Sequence, residues 1–130
     1  MKKQLIALRG IIIEMSRQRY VQVILAVSIA ILIATFLIPY FQLYPEIMTK
    51  TAVPLHYNIH FGVDLFGAWW RVLMPSMVGL AILIINSVLA VIYWRADRML
   101  SYCVLIIMPV LGIFLILASV FITLLNLSYD

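Results

Sequence analysis

Apolar positions gather into three runs, 21–40, 72–93 and 99–125, and no Asp, Glu, Lys, Arg or His falls in the central region of any of them. Crossing about 30 Å of hydrocarbon takes roughly 20 helical residues, so each run predicts a transmembrane helix. Ahead of them, Leu5, Leu8, Ile12 and Met15 recur at helical spacing among Lys2, Lys3, Arg9, Arg17 and Arg19. This basic, amphipathic segment over 1–20 either lies in the interface, drawn to anionic lipid, or extends the first helix inward. Between the first two spans the period changes to two. Leu55, Tyr57, Ile59, Phe61, Val63 and Leu65 alternate with His56, Asn58, His60, Gly62 and Asp64, which predicts an extended segment with one face buried. The expected fold is an all-α membrane protein: three transmembrane helices, an N-terminal amphipathic basic segment and a partly extended outer loop. It forms one membrane domain over 1–130, with the loop at 41–71, a turn at 94–98 and a tail at 126–130.

Small and polar residues mark helix faces inside the spans. Ala26, Ala30 and Ala34 recur every four residues, stack on one face and predict close approach of a neighbouring backbone. In the second span Ser76, Gly79, Leu83, Asn86 and Ala90 share a face. Asn86, near the midplane, is expected to hydrogen-bond to another helix, an interaction of about 1 kcal/mol. The third span carries Pro109, where a kink is expected, and Gly112, Ser119, Thr123 and Asn126 toward one side of its second half. Trp69, Trp70 and Arg71 precede the second span and Tyr93, Trp94 and Arg95 follow it, as interfacial anchors do. The 94–98 connection is short enough to require antiparallel helices.

Composition supports the membrane reading: 66% hydrophobic and 11% charged residues lie outside the soluble range. The net charge of +4 does not imply nucleic acid, because the cations sit beside the spans. Lys2, Lys3, Arg9, Arg17, Arg19, Arg95 and Arg98 flank one side, against Lys50 and Arg71 on the other. That asymmetry places the N-terminus and the turn in the cytoplasm, and the loop and tail outside. No small-residue cleavage site follows the first span, so a cleaved signal peptide is not expected. Cys103, the single cysteine, has no partner for an intramolecular disulfide and is expected to be a packed, inert thiol.

Several activities find no support. Spans without central ionisable groups argue against a pump or proton-coupled carrier. Both histidines lie in the loop, away from any haem site within the spans. No nucleophile with a nearby base is recognisable, so the chain reads as non-enzymatic, with no cofactor.

The loop holds the remaining chemistry. His56, His60 and Asp64 are four apart, and two histidines with a carboxylate can hold zinc if a helix lines them up. In an extended strand, residues four apart are separated by about 13 Å, so a metal requires the chain to fold back around Gly62. Polar packing at the bilayer surface, a protein or peptide partner, and a metal therefore stand as three readings. Gly62 and Gly67 suit tight turns, and Asp64 between them is expected to cap one.

The run Pro54-Leu55-His56-Tyr57-Asn58, followed by Gly62, Asp64, Phe66 and Gly67, resembles the extracytoplasmic motif of bacterial SdpI-like membrane proteins, P-x-H-[aromatic]-N-x-x-G-x-x-D-x-[aromatic]-G. Pro54, His56, Tyr57, Asn58, Asp64, Phe66 and Gly67 fall in register. Gly62 comes one place late, where the motif's first glycine meets Phe61. The match covers about fourteen residues after a first transmembrane helix, and members of the family are usually larger. It implies a reduced bacterial relative whose loop binds a peptide or membrane partner, with an immunity-like role. The alternatives are a structural accessory subunit, partnered or homo-oligomeric, and a metal-binding loop.

Overall fold

The computed structural model describes residues 2–44 and 46–129, and the side chains of 6–44 and 46–129. The side chains of Lys2, Lys3 and Leu5, and Asp130 of the tail, lie outside the described residues. In order come α1 (Lys2–Ser16), α2 (Arg19–Leu43), a short α3 (Glu46–Thr49), β1 (Val53–Asn58), β2 (Gly62–Gly67), a 3-10 turn (Trp69–Leu73), α4 (Met74–Tyr93) and α5 (Arg98–Ser128). The helical stretches Arg19–Leu43, Trp69–Tyr93 and Arg98–Ser128 are each long and apolar enough to cross a membrane, so this is a multi-pass membrane protein.

The basic segment does not continue the first span. Gln18 adopts φ −76°, ψ 122°, an extended conformation that breaks the helix before Arg19. α1 instead packs against the turn between α4 and α5, where Glu14 pairs with Arg98 at 2.6 Å and Met15 is buried beside Trp94. Asp97 starts α5 by accepting a 3.0 Å hydrogen bond from the Leu100 N–H, the usual role of an N-cap aspartate. α5 then runs unbroken through Pro109 to Ser128.

α5 is the spine of the bundle. α2 and α4 each lie along it and touch one another less. Its packed stripe is Ser101, Leu105, Met108, Gly112, Ser119, Thr123 and Asn126, mostly three or four apart, the helical repeat of a single face. Two apolar clusters form around it. Met15, Val21, Ala90, Trp94, Leu105 and Met108 close the α1 end, and Leu43, Ile47, Val53 and Val72 close the hairpin end. Between them the helices meet on small residues. A Cβ on Gly112 would stand 2.9 Å from Ile31 Cγ2, and one on Gly79 3.0 Å from Leu32 Cδ1.

Three expectations from the spans are corrected. Ala26 and Ala30 are exposed and Ala34 is half-buried, while Ser28 and Thr35 face inward. Ala26 and Ala30 each lie two residues from Ser28, about 160° around the helix. The two hydroxyls bond to the carbonyls of Ile24 (2.7 Å) and Ile31 (2.8 Å) on their own helix, so they pack like small apolar groups. Asn86 is half-buried on the packed face of α4 and makes no hydrogen bond among the described residues. Contacts between helices are made instead by short hydroxyls on α5: Ser101 donates to the Ala90 carbonyl (3.0 Å) and Ser119 to that of Thr35 (2.8 Å). Cys103 is exposed, because Ser101 and Leu105, two places either side, hold the buried face.

Gly112→Leu should force α2 from α5 and lower stability by about 1–3 kcal/mol, the cost of overpacking. Ala26→Leu, on the uncovered face, should change it by under about 0.5 kcal/mol. Denaturation of the two variants in the same detergent checks the contrast.

Candidate functional site

The alternating segment folds back into a hairpin instead of running on as one extended stretch. Val53 pairs with Gly67, Pro54 with Phe66, Tyr57 with Val63 and Asn58 with Gly62. Two residues make this turn possible. The Asn58 side-chain oxygen accepts the His60 backbone N–H at 2.9 Å, and Gly62 takes φ +76°, a left-handed conformation costly for residues with a Cβ. Asn58 therefore caps the turn, and the expectation that Asp64 does so is corrected. Gly67 serves another purpose: a Cβ there would lie 2.6 Å from Leu55 Cδ1 and 2.9 Å from Arg71 Cδ. It lets the base of the hairpin close on the start of the second span.

The ladder slips at two places. His56 pairs with Leu65, so Leu55 is unopposed on β1 and Asp64 on β2, and the two bulges cancel. His56 and Asp64 end on one face, with the imidazole Nδ1–H donating to Asp64 Oδ1 at 2.7 Å. Both are solvent-accessible, so the pair contributes little stability and stays available to another molecule. His60 sits in the turn with its ring edge-on to Phe61, centroids 6.5 Å apart. The chain does fold back as a metal site would require, yet no group of three or more metal-ligating side chains forms among the described residues. This arrangement brings His56 to Asp64 and leaves His60 at the tip.

The apolar face of the hairpin is covered only at its base. Val53 is fully buried and Leu55 packs on the cluster around Leu43, Ile47 and Val72. Asn126 reaches across from α5 and donates to the Pro54 carbonyl at 2.8 Å, also contacting the Ile122 carbonyl of its own helix. Phe66 lies edge-on to Tyr129, centroids 5.9 Å apart. Beyond these contacts the expected buried face is open: Ile59 and Phe61 are 83% and 82% exposed, and Tyr57 and Leu65 are exposed as well. The helix ends reach only as far as Leu55. Between the free part of β1 and the last turns of α5 lies an open groove of about 880 Å³, walled by His56, Tyr57, Phe121, Ile122 and Leu125.

All eight loop residues singled out by sequence lie on the strands, and Gly62 and Asn58 also shape the turn. Sequence reasoning missed Asn126 as the residue holding the hairpin. Its polar position on the α5 stripe was visible, but not the loop carbonyl it would meet. No protein-family model, curated protein or solved structure matches the chain.

Replacing Asn126 with Leu should strand the Pro54 carbonyl, costing about 1–3 kcal/mol. Hydrogen exchange should then accelerate across 53–58 while α2 and α5 stay protected. Gly62→Ala should weaken the turn by about 1–2 kcal/mol through its positive φ, with faster exchange at 59–66.

Proposed function

We propose that the protein is a non-enzymatic binding protein of a bacterial cytoplasmic membrane, with its N-terminus inside and its hairpin outside. The hairpin recognises a peptide or a membrane protein. The observation that carries this reading is the junction of two unlike surfaces: the accessible His56–Asp64 pair, and an uncovered apolar tip and groove at Tyr57, Ile59 and Phe61. Apolar surface of this kind beside directional polar groups is what a recognition patch needs. The seven-to-two distribution of cations supports the orientation. The resemblance of Pro54, His56, Tyr57, Asn58, Asp64, Phe66 and Gly67 to the SdpI-like motif supports the bacterial setting and an immunity-like role against a secreted peptide.

A second reading, a structural accessory subunit of a larger complex, is favoured by Ala26 and Ala30, which leave one face of α2 uncovered.

A photo-crosslinking residue at Phe61 in native membranes tests the first reading. It should capture a discrete partner, and His56→Ala or Asp64→Asn in the same background should reduce that product at least about tenfold, the loss of one well-placed charged contact. Undiminished crosslinking in both variants, each correctly inserted, would overturn it. Ala26→Leu with Ala30→Leu should release the chain from a complex only if the second reading holds.

A further inference from the structure

The α1 end of the bundle carries a surface that the hairpin reading does not use. α1 is amphipathic in an unusual sense: its packed side is narrow and its open side is mixed. Ile11, Glu14 and Met15 turn toward the bundle, whereas Ile6, Leu8, Ile12 and Ile13 are all exposed, Ile6 at 71%. Arg9 stands among these four on the open side. Arg17 and Arg19 are exposed at the bend into α2. Arg95, also exposed, crosses α1 at Gly10, where a Cβ would meet its guanidinium at 3.9 Å. Arg98 is already matched, paired with Glu14 at 2.6 Å and lying over the Trp94 ring at 5.6 Å. Asp97, the other acid at this end, accepts the Leu100 N–H as a helix cap. Among the described residues no acidic side chain pairs with Arg9, Arg17, Arg19 or Arg95.

Two connections fix where this surface can go. Only Arg17 and Gln18 separate α1 from a membrane-spanning helix, so α1 stays within a few ångströms of the bilayer surface. Glu14 and Met15 tie its other side to α5 and α4, so it cannot swing away into water. An open apolar face with unpaired cations, held at that level, matches a leaflet with negative headgroups: hydrocarbon for the isoleucines and leucine, phosphate for the arginines.

We infer that the α1 end of the bundle binds anionic phospholipid headgroups, with Ile6, Leu8, Ile12 and Ile13 seated in the leaflet and Arg9, Arg17, Arg19 and Arg95 on the phosphates. The inference is independent of the hairpin's partner and of which side of the membrane α1 occupies. The site anchors α1, and with it the turn between α4 and α5, to lipid of one charge class. A zwitterionic leaflet satisfies the apolar face and leaves the four guanidinium groups without net counter-charge.

The test compares the full-length protein in nanodiscs of phosphatidylcholine alone and of phosphatidylcholine mixed with phosphatidylglycerol, by hydrogen exchange of residues 6–16. Exchange should be slower with phosphatidylglycerol by about tenfold or more, and the difference should shrink at high salt, since several cations near an anionic surface add their attractions. In the variant Arg9→Gln/Arg17→Gln/Arg19→Gln/Arg95→Gln the two lipids should give equal exchange, with α5 amides still protected as evidence of folding. Equal exchange of the wild-type protein in both lipids overturns the inference. So does a variant that keeps the full difference, or protection that follows protein concentration rather than lipid charge, which would assign the surface to a second copy of the chain.

Discussion

Water is scarce inside a bilayer, and the fold depends on where α5 places its few polar side chains. Ser101 bonds to α4, Ser119 to α2 and Asn126 to β1. One helix thus makes directional contacts with α4, α2 and β1, near its start, about two-thirds of the way along and near its end. Between helices in lipid there is no hydrophobic drive to association, so van der Waals contact and hydrogen bonds decide which faces meet. Gly79 and Gly112 permit the close approach, and the hydroxyls fix the register.

The same constraint explains why the distal half of the hairpin is left uncovered. A two-stranded hairpin is marginal alone in water. This one is held where Val53 enters the apolar cluster and Asn126 takes the Pro54 carbonyl, and both attachments lie at its base. The distal half is left to itself, with its apolar side chains uncovered and its His56–Asp64 pair in reach of solvent. Support at one end and freedom at the other suit a segment whose covering surface belongs to another molecule or to the leaflet. At the opposite end α1 shows a related design, clasped along one side by Glu14 and Met15 and open along the other.

Much of this was legible in the sequence. Three long charge-free runs admit little but membrane helices, and the α5 stripe from Gly112 to Asn126 follows from spacing alone. Alternation marked the strands, but it reports a period and not a direction, so the return of the chain at Ile59–Phe61 depended on recognising Asn58 and Gly62 as a turn pair. The alanine stripe stays largely unpacked within the chain because smallness is only half of the packing rule. Ser28 and Thr35, polar by name, hide their hydroxyls against their own helix and make the tighter surface. Cys103 failed for a like reason: which of a helix's faces turns inward is settled by its neighbours. Asn86 does lie on the packed face of α4, but no polar group meets it there among the described residues. The contacts from Asn126 to Pro54 and from Arg98 to Glu14 span 72 and 84 residues, beyond any local pattern.

The arrangement of the hairpin depends on its attachment to α5, and a distance measured in bilayers tests that attachment most directly. With 15N in asparagine side chains and 13C in proline carbonyls, solid-state dipolar recoupling should find the Asn126 amide nitrogen about 4 Å from the Pro54 carbonyl carbon, as a hydrogen bond between them requires. Absence of any such coupling, in protein whose three helices are intact, would contradict a hairpin clamped to the spine and the placement of its uncovered tip that follows from it.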